Sequence, residues 1–160
     1  MPPSLIFPTN GEYAQIFCFR IDMVGSEFVL ANTSPGNLNS LNTLYRKTVT
    51  DLVKAANGLM TCWHGDGAVA FFATKGDADD LLRHGEKVAR EVIDSLTVKT
   101  PRHRFRIGAG TSPARFWTNI QDINSPGVVL AARLEDEARN NVIGASSILL
   151  IPEEIFSALD

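Results

Sequence analysis

Residues 62–72 read CWHGDGAVAFF, a stretch that sets a carboxylate, Asp66, between two glycines and follows it at once with an apolar run. Glycine accepts positive φ at no steric cost, so His64-Gly65-Asp66-Gly67 favours a tight turn. The reading is a β-hairpin, with short strands over 59–63 and 68–73 and a charge at its tip. An antiparallel pair in the middle of the chain sets the frame for what lies on either side.

Towards the N-terminus, residues 14–21 form an apolar run rich in Phe and Ile that suits a strand buried on both faces, and the run ends at Asp22 with Gly25 close behind. After a loop carrying Asn32, Ser34, Pro35 and Gly36, residues Leu38, Leu41, Leu44, Tyr45, Val49, Leu52, Val53 and Ala56 keep a helical period. The period stops at Asn57-Gly58, a C-terminal cap. Towards the C-terminus, Asp77 can cap a helix through Leu81, Leu82, Val88, Val92, Ile93 and Leu96 that ends before Pro101. A strand over 105–110, a loop over 111–126, a helix over 128–140, a strand over 147–151 and a short helix opened by Pro152 complete the chain. This order predicts an α+β sandwich, with helices packed on one face of a mainly antiparallel sheet.

At 160 residues the chain suits one domain over 1–160, and no repeat, low-complexity tract or linker divides it. Its 44% hydrophobic and 21% charged residues are ordinary for a globular protein, and its apolar runs fall short of the roughly 20 residues that span a bilayer. No secretory leader is read in the first residues, so the expected location is the cytoplasm. A net charge of −3 gives no general attraction to nucleic acid or to a membrane surface, although the Arg102-His103-Arg104-Phe105-Arg106 patch leaves a local role open. Cys18 and Cys62 both lie in apolar, strand-like surroundings and are expected as buried thiols.

Asp22 sits at the exit of the first strand and Asp66 at the tip of a hairpin expected beside it. Taken singly, Asp66 reads equally as a turn residue and Asp22 as the end of a strand. Together they form a candidate pair, and two carboxylates about 4 Å apart repel by roughly 4 kcal/mol at an effective dielectric near 20, which calls for a cation or a shared proton. Oxygen ligands beside a glycine-rich backbone favour Mg²⁺ or Mn²⁺ over zinc. The backbone amides around Met23, Val24 and Gly25 are candidates to cradle the phosphates of a nucleotide.

FRIDMVG (19–25), HGDGAVAFF (64–72), FRIGAGTSP (105–113) and DINSPGVVLAARLEDEA (122–138) occur in the order and approximate spacing of the class III adenylate and guanylate cyclase catalytic domain, which the chain resembles over about residues 14–150. The resemblance implies a ferredoxin-like, palm-type fold that acts as a head-to-tail homodimer on a nucleoside triphosphate. It implies that Asp22 and Asp66 hold two Mg²⁺ or Mn²⁺ ions and that the ribose 3′-hydroxyl attacks the α-phosphate, giving a 3′,5′-cyclic nucleotide and pyrophosphate. Asp122 matches a base-contacting position and Arg133 the arginine that stabilises transition-state phosphate charge, both supplied by the partner subunit. By its own residues Arg133 also reads as a surface ion pair with Glu135 or Glu137.

Several positions depart from the family. Cys62 stands where adenylate cyclases carry an adenine-reading lysine and guanylate cyclases a glutamate. Val129 occupies the place of the transition-state asparagine and has no hydrogen bond to give to the ribose, a loss on the order of 100-fold in rate. Ser26-Glu27 replaces an aromatic and a hydroxyl residue, and Glu27 adds negative charge near the expected phosphates. Residues 1–13 form an N-terminal extension, and the chain ends at Asp160 where the family continues into a hairpin bearing a phosphate-binding lysine; Lys75, Lys99 and Arg115 are the cations considered in its place. His64 reads as an exposed turn residue, and Trp63, Phe116 and Trp117 as base-stacking or dimer-packing aromatics. These departures raise a second function, a catalytically weakened homology domain that binds nucleotide or dimerises as a regulatory module. A third and more remote reading is a palm-type enzyme that links two nucleotides.

Overall fold

The computed structural model describes residues 11–61, 63–115, 125–141 and 147–153. In chain order they form β1 (Tyr13–Met23), α1 (Ser26–Asn32), α2 (Pro35–Ala55), β2 (Leu59–Met60), β3 (Ala68–Thr74), α3 (Ala78–Lys99), β4 (Phe105–Arg115), α4 (Pro126–Asn141) and β5 (Ile148–Leu150). The strands make one sheet in the order β2-β3-β1-β4-β5, antiparallel except for the β4–β5 pair. The α+β class and the mainly antiparallel sheet expected from the sequence are what the chain adopts.

β1 is the central strand, and its alternation sorts the molecule into two faces. Phe17, Phe19, Ile21 and Met23 point one way, into a core with Tyr45, Val49 and Val53 of α2 and Leu81, Val88, Val92 and Leu96 of α3. Ala14, Ile16 and Cys18 point the other way and meet Phe71, Ala73 and Ala114 beneath Ala131 of α4. The helices therefore cover both faces, which corrects the expectation that they share one. The residues of the run over 14–21 carried that signal, since a strand buried on both sides needs a cover on each.

α4 comes close enough to touch backbone. A Cβ placed on Gly108 would strike the carbonyl of Ala131 and the amide of Glu135, and one placed on Gly110 would strike the carbonyl of Gly127. The two glycines of β4 on this face are thus the bed of the helix.

The remaining differences are local. β4 runs to Arg115 where a loop from 111 was expected, because β1 offers it a full ladder from Tyr13↔Arg115 to Met23↔Phe105. Pro113 is tolerated because β5 pairs only with residues 106–108, so this end of β4 has one strand neighbour among the described residues. α1 is a helix not expected from the sequence; its seven residues bury no side chain, which leaves no apolar period to read. Asp77 caps α3 as expected, accepting from the amides of Asp79 at 2.7 Å and Asp80 at 3.2 Å. The helix expected after Pro152 falls on 154–160, outside the described residues. Among the described residues no helix is long and apolar enough to cross a membrane.

Candidate functional site

The hairpin that opened the sequence reading closes on two residues. His64 and Gly67 exchange backbone bonds of 2.9 and 3.0 Å, leaving Gly65 and Asp66 as the turn, and Gly65 takes the positive φ of 63° that the glycine was there to supply. The turn lies beside the end of β1, where the amide of Met23 donates to Asp66 Oδ2 at 3.3 Å. Asp22, one residue earlier and on the α4 face, is 8% exposed. The structure brings the two acids together, close enough for each carboxyl to shift the titration of the other.

Two acids this close favour holding one proton between them, and the electrostatics place it on Asp22. Burial, then the bond and charge of Asp66, push Asp22 up to about 7 against the opposing pull of Arg106. Burial also raises Asp66, but the bonds it accepts from Asp22, Ser26 and the Met23 amide outweigh that and hold it below the usual carboxylate range. Two neighbouring carboxyls pushed apart in this way are a common mark of a functional site.

Beneath the pair runs an ion network that the sequence reading missed. Arg106 faces Asp22 directly across the β1–β4 register and gives Nη2 to its Oδ2. It gives Nε to Oε1 of Glu135, a fully buried residue of α4. The other oxygen, Oε2, has no hydrogen-bond partner among the described residues, and Arg20 Nε lies 3.4 Å away. The alternative of an Arg133–Glu135 ion pair is set aside by this arrangement. The signal for the network was the alternation itself: Arg20 and Asp22 on one strand and Arg106 on the next fall on a single face.

The pair opens onto a cavity of about 590 Å³, lined by Asp22, Met23, Val24, Gly25, Ser26, Glu27, His64, Asp66 and Gly67 together with Arg20, Arg104, Arg106 and Arg139. Four guanidinium groups face three carboxyl groups there, and two of the four, Arg104 and Arg106, belong to the basic patch noted in the sequence. The cations considered from the sequence lie elsewhere: Lys75 pairs with Glu12 at 2.8 Å, Lys99 bonds Thr48 at 3.3 Å, and Arg115 lies over the Tyr13 ring. The phosphate cradle also needs correction. The Met23 amide is taken by Asp66 and the Val24 amide by the carbonyl of Arg104 at 2.9 Å, so the side chains around the cavity are better placed to meet an anion than those two amides are.

Arg133 and Val129 do not line this cavity. Both are exposed on α4, where with Ser125, Pro126 and Leu130 they border a separate groove of about 470 Å³. His64 is exposed, as expected, and Trp63 packs edge-on against Tyr45. Cys62, Phe116, Trp117 and Asp122 lie outside the described residues.

The donor set fits a hard divalent cation. It consists of two oxygen acids joined through one proton, which a cation can replace. Among the described residues no group of three or more His, Cys, Asp or Glu side chains could hold an ion, so the pair suits one that completes its shell with water or phosphate oxygen, as Mg²⁺ does.

The sequence matches no protein-family profile and no curated protein. Solved structures do match. The adenylyl cyclase CyaB from P. aeruginosa is 17% identical over 94% of this chain and 82% of its own, with a TM-score of 0.78. The monomeric guanylyl cyclase domain of the RhoGC fusion protein from the aquatic fungus Blastocladiella emersonii is 14% identical over 94% of this chain and 88% of its own, at 0.75. The guanylate cyclase domain of RhGC from Catenaria anguillulae, solved in complex with GTP, is 15% identical over 93% and 84%, at 0.71. At these identities the likeness is one of fold: the chain folds as class III adenylyl and guanylyl cyclase domains do.

Proposed function

We propose that the chain is a metal-dependent nucleotidyl cyclase, converting a nucleoside triphosphate to a 3′,5′-cyclic nucleotide and pyrophosphate at the interface of a head-to-tail homodimer. The observation that carries the reading is the Asp22–Asp66 pair at the mouth of a cavity ringed by arginines, on a cyclase fold. A neighbour solved with GTP supports a nucleotide as the substrate class.

In this reading Asp22 and Asp66 hold the metal. Two Mg²⁺ or Mn²⁺ ions bound there would lower the pKa of the ribose 3′-hydroxyl and offset triphosphate charge. Arg104 and Arg139 face the same cavity and meet the phosphates there. Arg106 neutralises Asp22 from below and fixes its orientation, and Met23 and Ser26 do the same for Asp66. Arg133 and Asp122 of a second copy complete the site, Arg133 against the charge that grows on the α-phosphate. Cys62 stands in the base-reading position, which leaves pyrimidine nucleotides as candidate substrates alongside purines. The domain spans residues 1–160 and works in the cytoplasm.

Incubation of the purified protein with Mn²⁺ and each of the four triphosphates, with cyclic products identified by mass spectrometry, tests the reading. The expected result is one or more cyclic nucleotides, reduced at least 100-fold by Asp22→Asn or Asp66→Asn. Turnover unchanged by both substitutions would end it.

A second reading, a weakened domain that binds nucleotide or dimerises without turnover, is favoured by one observation. Val129, in the asparagine position, is 44% exposed on α4 and presents only an apolar surface. Tight triphosphate binding without any cyclic product supports this reading over the first. Linked dinucleotides as the sole product would point to the palm-type alternative.

A further inference from the structure

Tyr45 and Arg46 are consecutive residues of α2, and both reach the turn that carries Asp66. Tyr45 is fully buried, and its hydroxyl donates to the backbone carbonyl of Asp66 at 2.9 Å. Arg46 is exposed, and its Nη2 donates to the carbonyl of Gly65 at 2.6 Å. Trp63 fills the angle between them, with its ring 5.1 Å from the Tyr45 ring and 5.4 Å from the guanidinium of Arg46. On its other side the Tyr45 ring packs 4.8 Å from Phe105, the register partner of Met23.

The two captured carbonyls belong to the two peptide units on either side of the Asp66 α-carbon. Because a peptide unit is planar, holding both fixes φ and ψ of Asp66 at once and so fixes the direction in which its side chain leaves the backbone. A turn flanked by two glycines has little else to fix it, since glycine constrains its neighbours least. The ladder bonds stop at His64 and Gly67, outside the turn. The backbone of Asp66 is therefore held from α2, while the Met23 amide meets its carboxylate from β1.

We propose that Tyr45 and Arg46 are positioning residues for Asp66: a phenol and a guanidinium on one helix clamp the two peptide units around it and present its carboxylate to Asp22. The proposal rests on the metal-binding role given to Asp66 above. A clamp of this kind acts as an outer-shell partner does in a metal site, where its removal weakens metal binding by about tenfold to 100-fold.

Tyr45→Phe keeps the buried ring and removes only the donor, and Arg46→Ala removes an exposed side chain, so both variants are expected to fold. Free Mn²⁺ measured by electron paramagnetic resonance should show binding weakened about tenfold in Tyr45→Phe, with a smaller loss in Arg46→Ala and recovery in Arg46→Lys. Product formation should show the same shift as a higher Mn²⁺ requirement, with kcat restored at saturating metal. Hydrogen exchange over residues 63–67, measured without metal, should speed up by about fivefold in Tyr45→Phe. Wild-type Mn²⁺ affinity and wild-type exchange in both variants would overturn the clamp. A wild-type protein that binds no Mn²⁺ overturns the cyclase reading instead, and the exchange measurement then decides the clamp by itself.

Discussion

Asp22 and Arg106 stand directly opposite each other in the β1–β4 ladder, and Arg106 is shared between Asp22 on the sheet and Glu135 on the helix above it. The arginine thus ties the helix that bears Arg133 to the strand that bears Asp22, the acid proposed to bind metal. Removing one member of a buried ionic group leaves the others uncompensated, so Glu135→Ala is expected to lower the unfolding free energy by about 3–5 kcal/mol. Replacing the pair together, as Arg106→Met with Glu135→Met, should recover much of that loss. Urea unfolding of Glu135→Ala and of the double variant measures both, and a Glu135→Ala loss below about 1 kcal/mol would show that the network holds nothing.

Asp22 and Asp66 predict a pH dependence with a definite sign. Asp22 is raised from 3.8 to about 7, so its protonation stabilises the metal-free fold below the unfolded value, and this contribution is lost as pH rises through about 7. Asp66, lowered, contributes in the opposite sense, and its share is lost as pH falls below the usual carboxylate range. In the proposed metal role a cation displaces the proton on Asp22, so Mn²⁺ affinity should rise from pH 5 to about 7 and level off above it. Calorimetric titration with Mn²⁺ across that range checks this, and a flat profile in the wild type would contradict the shared proton. Asp22→Asn should remove the part of the slope near pH 7 from the metal-free stability curve.

The contact between α4 and β4 has no room for a side chain. Gly110→Ala puts a Cβ against the carbonyl of Gly127 and within 3.0 Å of the Ala131 amide, both of which are backbone and unable to rotate away. The expected loss is about 1–3 kcal/mol in chemical unfolding. Gly36→Ala, in the first turn of α2 with nothing within 4 Å of the new Cβ, serves as the control and should leave stability unchanged or slightly raised.

Cys18 is fully buried in β1, its Sγ 3.6 Å from the carbonyl of Gly110, and burial pushes its pKa up to about 12. A thiol so protonated in a closed core is a poor nucleophile. In a Cys62→Ser background, an aromatic disulfide reagent at pH 8 should leave Cys18 unmodified in the native protein and modify it completely in denaturant. Rapid native modification would place Cys18 on an opening part of the molecule.

The elements with a strong period or a defined cap were legible in the sequence: the 14–21 run, the helix stopped at Asn57-Gly58, the Asp77 cap and the glycine-flanked turn at Asp66. Each is set by local chemistry. The elements that were not legible depend on partners distant in the chain. β4 passes through Gly110 and Pro113 because β1 extends alongside it, and α1 shows no apolar stripe because none of its side chains is fully buried. The same division runs through the site. Asp22 and Asp66 could be named from the residues that surround them in the chain, whereas Arg106, Glu135 and Arg139 acquire meaning only when β4 and α4 are folded against β1. Tyr45 was read as one more apolar position on a helix, and nothing in its neighbours betrayed the hydroxyl bond to a carbonyl 21 residues away.

β1 carries its phenylalanines on odd positions and Arg20 and Asp22 on even ones. A slip of one residue in its pairing would turn Phe17, Phe19 and Ile21 towards the small-residue face under α4 and drive an arginine and an aspartate into the apolar core beneath α2 and α3. Misregistered forms are therefore penalised twice, once for the lost core and once for the buried charge. The acids proposed to bind metal thus also act as a proofreader for the strand, and a variant that neutralises Asp22 removes part of that check along with the chemistry.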